Sequence, residues 1–312
     1  MKIKHVNLKF CFLSFFISSF VLWNISSVIL ALDSKPADKA MSTDLFVQQA
    51  EKGDLEAVTS AINTGINLDS MDRRGNTALI QASKKGHIDI VKLFLSKGAD
   101  VNSRDRTFGA TPLIWAALSN QVGVVKILLE KGADPEAREK RNGLTAYLAA
   151  AVKGYTDLIK LFIERGIPVD SKDHDGRTAL MWAANTGQVE TVKYLLEKGA
   201  KIEATETDKG MTALITAAMM GRTDVAKVLL ENGANIEKQD VDGLTPIMWA
   251  AQYGRVDTVA LLLKMGANPK ATSKKGDSAV SLVKRSKSND EIKKKIEELL
   301  SGGSKGDNAP GQ

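Results

Sequence analysis

Residues 173–205 read DHDGRTALMWAANTGQVETVKYLLEKGAKIEAT, and the main features of this stretch return along most of the 312-residue chain. The phrase Gly-x-Thr begins at Gly75, Gly109, Gly143, Gly176, Gly210 and Gly243, and a variant closes the series as Gly276-Asp277-Ser278. The intervals are 34, 34, 33, 34, 33 and 33 residues. A constant period of this length is typical of an array of one repeated supersecondary unit. Such an array offers a long shared surface and no obvious cleft for catalytic groups.

Local signals within residues 173–205 predict a turn followed by two short antiparallel helices. Gly176 permits the positive φ of a tight turn, and Thr178 has the side-chain oxygen that a helix N-cap needs. We expect the first helix over 179–184 and the second over about 189–198, where apolar residues recur at helical spacing. Helices this short are marginal alone in water, so they must bury their faces against the units before and after them.

The repeated phrase resembles the ankyrin repeat in its order of Gly-x-Thr-Pro/Ala-Leu-x-x-Ala-Ala, Gly, Val-x-x-Leu-Leu and Gly-Ala-Asp/Asn. The resemblance covers residues 42–301 and implies an all-α ankyrin-repeat solenoid of stacked helix-turn-helix units with β-turn or hairpin tips. Six full repeats fall at 72–104, 105–138, 139–172, 173–205, 206–239 and 240–272. Two degenerate capping repeats, at 43–71 and 273–301, flank them, as the ends of a stack require.

One position departs from the family pattern in every full repeat. Ankyrin repeats usually have a histidine after the Leu of the phrase, where it hydrogen-bonds around the turn and to the neighbouring unit. Here that position is always apolar, with Ile80, Ile114, Leu148, Met181, Ile215 and Met248. We therefore expect apolar contacts to replace those hydrogen bonds.

The first 32 residues have the form of a secretory signal peptide, because a basic stretch at 1–9 precedes an apolar run at 10–32. They predict export of the repeats to the periplasm or the cell exterior, after a linker at 33–41. The alternative is an uncleaved anchor, since the run of 23 residues is long enough to span a bilayer, and a membrane would then be contacted only there. Six Ser and Asn interruptions favour cleavage. We expect a disordered tail at 302–312.

Charge and residue types argue against nucleic-acid binding and against catalysis. Without the three lysines of the predicted signal, 40 basic residues face 37 acidic ones, which is too small an excess to indicate a nucleic-acid partner. The only cysteine, Cys11, lies inside the signal, and the chain has no metal-binding, nucleophile or phosphate-loop motif. We therefore predict a non-enzymatic monomer without metal or cofactor.

Three tryptophans occupy one repeat position, because Trp115, Trp182 and Trp249 are each 67 residues apart. Aromatic rings in register could stack on a ligand. The same position holds Ala149 and Thr216 in the intervening repeats, and alternation of large and small side chains is typical of a packed core. We interpret the tryptophans as core residues.

The resemblance implies that a partner protein binds the turn tips and the exposed ends of the first helices, on the concave side. The candidate partner-binding residues are Arg73, Arg74, Lys84, Lys85, Arg106, Phe108, Lys140, Arg141, Lys153, Met211, Met219, Met220, Leu244 and Tyr253. The basic ones also fit an ordinary solvated surface, and the methionines and Tyr253 also fit packing between repeats. Together they suit a partner protein with an acidic flank, so we expect Met219→Ala with Met220→Ala to weaken binding without unfolding the array.

Overall fold

Sixteen α-helices and no β-strands make up residues 41–302, the part of the chain that the computed structural model describes. The extended pairings in this part are two isolated bridges, between Lys172 and Thr178 and between Thr272 and Ser278. The predicted all-α fold is confirmed. The predictions of a signal or anchor at 1–32, of a linker at 33–41 and of a tail at 302–312 lie outside the described residues, except that Met41 is described and that Gly302 ends the last helix instead of beginning the tail.

The helices alternate between the first and the second helix of each repeat. They are α1 (Thr43–Lys52), α2 (Leu55–Asn63), α3 (Ala78–Lys85), α4 (Ile88–Ser96), α5 (Pro112–Leu118), α6 (Val122–Glu130), α7 (Ala146–Lys153), α8 (Thr156–Glu164), α9 (Ala179–Thr186), α10 (Val189–Glu197), α11 (Ala213–Met220), α12 (Thr223–Glu231), α13 (Pro246–Gln252), α14 (Val256–Lys264), α15 (Ala279–Lys284) and α16 (Asp290–Gly302). The pairs from α3–α4 to α13–α14 form six full repeats, numbered 1 to 6. The pairs α1–α2 and α15–α16 form the N-terminal and C-terminal caps.

The first helices begin and end at the residues that the sequence indicates. In five of the full repeats the N-cap threonine accepts a hydrogen bond from the first turn, as Thr178 does from the Met181 N–H at 3.4 Å. Gly187 ends α9 in the left-handed conformation, with a φ of 84°. Pro112 and Pro246 stand in the first turns of α5 and α13, where no backbone donor is required.

The core runs through the stacked first helices. Ala183 and Ala184 of α9 are fully buried, and such small side chains let the first helices of neighbouring repeats approach closely. The apolar side chains at the usual histidine position are buried too, with Ile80 and Met248 both 0% exposed, which confirms that apolar packing replaces the histidine there. Short helices are therefore stabilised by their neighbours along the whole stack.

A ladder of backbone hydrogen bonds joins the turns of successive repeats. The N–H of Arg106 donates to the carbonyl of Gly75 at 2.9 Å, and the equivalent N–H donates to the preceding turn at Lys140, His174, Thr207, Val241 and Lys274. The N-terminal cap has no such turn. There, Asp44 Oδ1 accepts the N–H of Arg73 at 2.8 Å and so begins the ladder with a side chain. The turns consequently form one continuous row.

The first helices lie on the inner side of the stack. Neighbouring first helices pack more extensively against each other than neighbouring second helices do, so the stack curves towards the first helices and the turns. We call this inner surface, formed by the turns and by α3, α5, α7, α9, α11 and α13, the concave face.

Candidate functional site

Each turn of the concave face is held by a buried carboxylate at its first position. We define tips 1 to 6 as the residues from that carboxylate to the one before the N-cap threonine, namely 72–76, 105–110, 139–144, 173–177, 206–211 and 240–244. The six carboxylates are at most 7% exposed. In tip 4, Asp173 Oδ1 accepts the N–H groups of Asp175 and Arg177 at 2.9 and 2.8 Å. These acids are structural turn residues, as their recurrence in the sequence indicates.

The three tryptophans donate their indole N–H groups to these carboxylates. Trp115 Nε1 lies 3.0 Å from Asp105 Oδ2, and Trp182 Nε1 lies 2.9 Å from Asp173 Oδ2. Trp249 repeats the bond with Asp240 at 2.9 Å. All three side chains are buried, at no more than 9% exposed. The interpretation of the tryptophans as core residues is confirmed, and each also fastens its helix to its tip.

Repeats 3 and 5 use glutamate where the tryptophan is absent. Glu139 and Glu206 begin tips 3 and 5, and the helix position that faces them holds Ala149 and Thr216. Glu206 Oε1 and Oε2 accept the N–H groups of Asp208, Lys209 and Met211 at 2.6 to 3.1 Å. The longer side chain therefore serves backbone donors alone, while Asp105, Asp173 and Asp240 also accept an indole N–H. In repeat 1, which has no tryptophan, Asp72 accepts the Asn76 N–H and pairs with Arg74 instead. Three chemically different arrangements thus produce the turns.

Three of the predicted basic residues are ion-paired with the N-terminal cap or with their own tip. Arg73 Nε lies 2.8 Å from Asp44 Oδ2, and Arg74 contacts Glu51 at 3.1 Å as well as Asp72 at 3.0 Å. A third pair joins the Lys85 ammonium to Glu51 at 3.5 Å. Burial raises the pKa of Glu51, but the hydrogen bond and charge of Arg74 and the charge of Lys85 outweigh it and leave the pKa below 4.5. These cations hold α1 against repeat 1.

Other predicted basic residues lie exposed on tips 2 and 3 and at the end of α7. Arg106, Lys140 and Lys153 are exposed and form no ion pair within residues 41–302. Arg141, also on tip 3, is exposed. The aliphatic segment of Lys140 packs on Gly109 of tip 2, and the Cβ of Arg106 packs on Gly75 of tip 1. The concave face is therefore basic mainly at repeats 2 and 3.

An aromatic cluster adjoins these cations. Phe108 of tip 2 is half-buried and packs edge-on against Trp115, with ring centroids 5.9 Å apart. Lys84 of the preceding repeat places its ammonium 4.6 Å from the Trp115 ring centroid, which is within the range of a cation–π contact. Burial, with the nearby charge of Lys85, lowers the pKa of Lys84. Lys84 and Phe108 thus contribute to the face but are tied to the tryptophan.

The predicted apolar surface of the C-terminal half is smaller than the sequence indicates. Met211 is fully buried and Met219 is only 3% exposed, so their placement on an exposed surface is wrong. Arg255 of the next repeat donates its Nε–H to the backbone carbonyl of Met219 at 3.0 Å. Met220 and Leu244 are half-buried. The double variant Met219→Ala with Met220→Ala therefore truncates a core side chain together with a half-buried one, so it does not test the surface alone.

Tyr253 is the exposed member of the predicted apolar set. Its ring is 39% exposed and stacks on Trp249 with centroids 5.8 Å apart. The Lys209 ammonium also lies near this pair, 5.6 Å from the Trp249 ring centroid. Sequence reasoning did not include Lys209 or Arg177, whose guanidinium lies 5.3 Å from the Trp182 ring. Both residues could have been found in the sequence as tip cations whose own repeat or next repeat has a tryptophan.

Residues 41–302 contain neither a metal-binding group nor a membrane span. No three His, Cys, Asp or Glu side chains in this part of the chain are placed to hold a metal ion. None of its helices is long and apolar enough to cross a bilayer. His87 serves the fold, because its Nε2 lies 2.9 Å from the Glu51 carbonyl of the N-terminal cap.

Family comparison assigns the repeated architecture directly. The family model described as ankyrin repeats (3 copies) matches residues 46–139, 135–206 and 203–273, which together exceed half of the chain. The chain belongs to the ankyrin repeat family. Ankyrin repeats are protein-interaction modules, so protein binding is the function that the family supports.

Curated ankyrin repeat proteins match shorter stretches. An ankyrin repeat-containing protein of Saccharomyces cerevisiae is 41% identical over 76 residues, which are 24% of this chain and 15% of the yeast protein. A putative ankyrin repeat protein of Escherichia coli is 28% identical over 78 residues, 25% of this chain and 35% of that protein. The mouse protein phosphatase 1 regulatory subunit 27 is 39% identical over 69 residues, 22% of this chain and 44% of the subunit. The chain thus spans less than half the length of each relative.

Proposed function

We propose that this ankyrin repeat protein is a non-enzymatic scaffold that binds a partner protein through its concave face. The observation that carries the proposal is the group of exposed cations on repeats 2 and 3. Arg106 and Lys140 project from the row of turns and Lys153 from the end of α7, and no acid among residues 41–302 pairs with them. Charged side chains on a fixed scaffold next to a half-buried aromatic residue suit recognition of another protein.

The roles of the acids support binding over catalysis. The tip carboxylates, which are the most buried acids of the concave face, already accept backbone or indole N–H groups. A general acid or base needs a carboxyl or imidazole group that can reach a substrate. The two histidines of the described part, His87 and His174, stand in different repeats, and His87 is engaged with the cap.

The proposal includes export of the scaffold to the periplasm or the cell exterior as a monomer. Its support is the basic and then apolar N-terminal sequence. The alternative is a membrane-tethered adaptor in which residues 10–32 are retained as an anchor. N-terminal sequencing of the protein from its producing cells distinguishes them. A first residue near Leu32 or Asp33 supports export with cleavage, and an intact N-terminus rejects it.

Photo-crosslinking in the producing cells tests the binding face. A benzophenone amino acid at Lys153 stands on the concave face, and one at Lys126 on α6 provides the control, because Lys126 is also exposed and forms no ion pair among the described residues. We expect a discrete crosslinked protein from position 153 and none from position 126. Crosslinking to the same protein from position 126 alone would reject the concave face as the binding site.

A further inference from the structure

The six tips differ in charge beyond their first residue. After the structural carboxylate, tips 1–3 contain five basic residues and no acid, namely Arg73, Arg74, Arg106, Lys140 and Arg141. Tips 4–6 each contain a further aspartate, at Asp175, Asp208 and Asp242. The concave face is therefore divided along its length into a basic and a mixed half, although one backbone arrangement runs through both.

Pairing with the cap confines the available positive charge to repeats 2 and 3. Arg73 and Arg74 contact Asp44 and Glu51, so their charges are compensated within the array. Arg106 and Lys140 have no such partner among residues 41–302 and occupy equivalent positions in adjacent repeats. Lys153 adds a third cation on the same side of repeat 3.

Resting on the proposed function, we propose that the part of the partner bound at tips 2 and 3 is an extended, acidic peptide segment. Adjacent helices pack with their axes about 8–10 Å apart, so Arg106 and Lys140 are separated by about one such step. An extended chain in the polyproline II conformation advances about 3.1 Å per residue with three residues per turn, so side chains three residues apart lie on one face about 9 Å apart. Carboxylates about three residues apart would therefore reach both cations.

The surroundings favour a peptide over a longer polyanion. The half-buried ring of Phe108, which packs on Trp115, provides an apolar surface beside the cations, and this suits an apolar side chain of the same segment. Nucleic acid or an anionic membrane would continue its negative charge across the neighbouring repeats. There it would meet the carboxylate of Asp208, which forms no ion pair within residues 41–302 and would repel it, whereas Asp175 and Asp242 are paired with Arg177 and Lys275. The divided charge fits a short acidic segment that ends near repeat 4.

Peptide selection tests the chemistry of this segment. A random library of peptides about 12 residues long is selected on the protein as isolated from its producing cells, since this length crosses about four repeats. We expect the enriched peptides to carry Asp or Glu about three residues apart, with an apolar residue nearby. Enrichment of neutral or basic peptides, or of none, would overturn the proposal.

Charge reversal with a matched control tests the position. One variant carries Arg106→Glu and Lys140→Glu on tips 2 and 3. The control carries Lys92→Glu and Lys126→Glu on the second helices of repeats 1 and 2, where both lysines are exposed and form no ion pair in the described chain. Both variants have the same net charge. Circular dichroism establishes that both remain folded, and fluorescence anisotropy measures their affinity for a selected acidic peptide.

We expect the tip variant to bind about tenfold or more weakly and to lose its salt dependence, because the reversed charges repel the peptide. The control should bind as the unmodified protein does. Equal losses in both variants would assign binding to net charge and overturn the proposal. Tighter binding of an oligonucleotide or of anionic vesicles than of the peptide, abolished by the same tip reversal, would also overturn it. If position 153 crosslinks to a partner but these peptide tests fail, the scaffold function is supported and the acidic segment is rejected.

Discussion

Tips 2 and 4 begin alike and then diverge. In each, an aspartate accepts the indole N–H of a tryptophan on the following helix, Asp105 from Trp115 and Asp173 from Trp182. The next residue in each donates its backbone N–H to the preceding tip. Tip 2 then presents Arg106, whereas tip 4 presents His174 and the carboxylate of Asp175. The two halves of the array share a framework and differ in the charge that they offer.

This difference separates the positions that build the array from those that select a partner. The framework depends on the carboxylate, the glycine and the threonine of each tip, whose backbone or buried side chains make contacts within the stack. Between them, exposed side chains such as those of Arg106 and Lys140 form no ion pair within residues 41–302, so they can change without loss of a framework contact. Specificity can therefore vary along a row of equivalent turns.

The largest expected effect tests whether the framework is the same in both halves. Trp115→Ala and Trp182→Ala each remove a buried indole and leave a turn carboxylate without its donor. Each should lower the free energy of unfolding by about 3–5 kcal/mol in urea titrations. Tyr253→Ala is the aromatic control, and its 39% exposed ring should cost less than about 1 kcal/mol. If only one of the two tryptophan variants lost little unfolding free energy, the turns of the two halves would be stabilised by different contacts.

A second prediction concerns the apolar surface of the C-terminal half. Met219→Ala should lower the free energy of unfolding by about 2–5 kcal/mol, because the side chain is only 3% exposed. Met220→Ala, one residue further and half-buried, should cost less than about 1 kcal/mol. Urea denaturation of the two single variants measures both values. Equal costs would contradict the assignment of Met219 to the core and Met220 to its edge.

The smallest expected effect concerns the cap that compensates the charge of repeat 1. Glu51→Gln removes the partner of Arg74 and Lys85 and should cost about 0.5–1 kcal/mol of unfolding free energy at neutral pH. The pKa of Glu51 is lower in the folded chain than its ordinary 4.5, so its contribution is complete above that pH. This contribution to the free energy of unfolding should disappear as the pH falls through the pKa of Glu51 in the folded protein.

Unfolding curves of the two proteins between pH 3 and pH 7 measure this difference. Loss of the Glu51 charge should leave Lys85 without its ion pair and Arg74 with Asp72 alone, so we expect Glu51→Gln to bind the selected acidic peptide more tightly than the unmodified protein. A stability difference that persists unchanged at the acidic end would contradict the role of the ion pairs.

The fold was predictable because its signals are local and repeat. The sequence predicts a second helix over about 189–198, and α10 covers Val189–Glu197. Thr178 and Gly187 determine the ends of α9 through their own side chain and backbone. Each such signal is repeated in neighbouring units, so one ambiguous unit is resolved by the others.

The surface was less predictable because exposure depends on contacts between repeats. Met219 is 3% exposed, and Arg255 of the next repeat donates to its backbone carbonyl. Arg73 and Arg74 are paired with Asp44 and Glu51 of a degenerate cap, whose sequence lacks the repeated phrase and gives no register for its side chains. The basic residues of tips 2 and 3 are exposed, as the sequence indicates, and their part in partner binding stays a prediction.

Transplanting the charge of one half onto the other tests the central claim most directly. Thr207→Lys, Asp208→Arg and Val241→Arg place cations on tips 5 and 6 at positions equivalent to those of tips 2 and 3. Isothermal titration with the selected acidic peptide measures the number of binding sites. We predict one site in the unmodified protein and two in the transplanted one, because the framework beneath both halves is the same. A single site of unchanged affinity in the transplanted protein would contradict the claim that tip charge on a shared framework determines where the acidic segment binds.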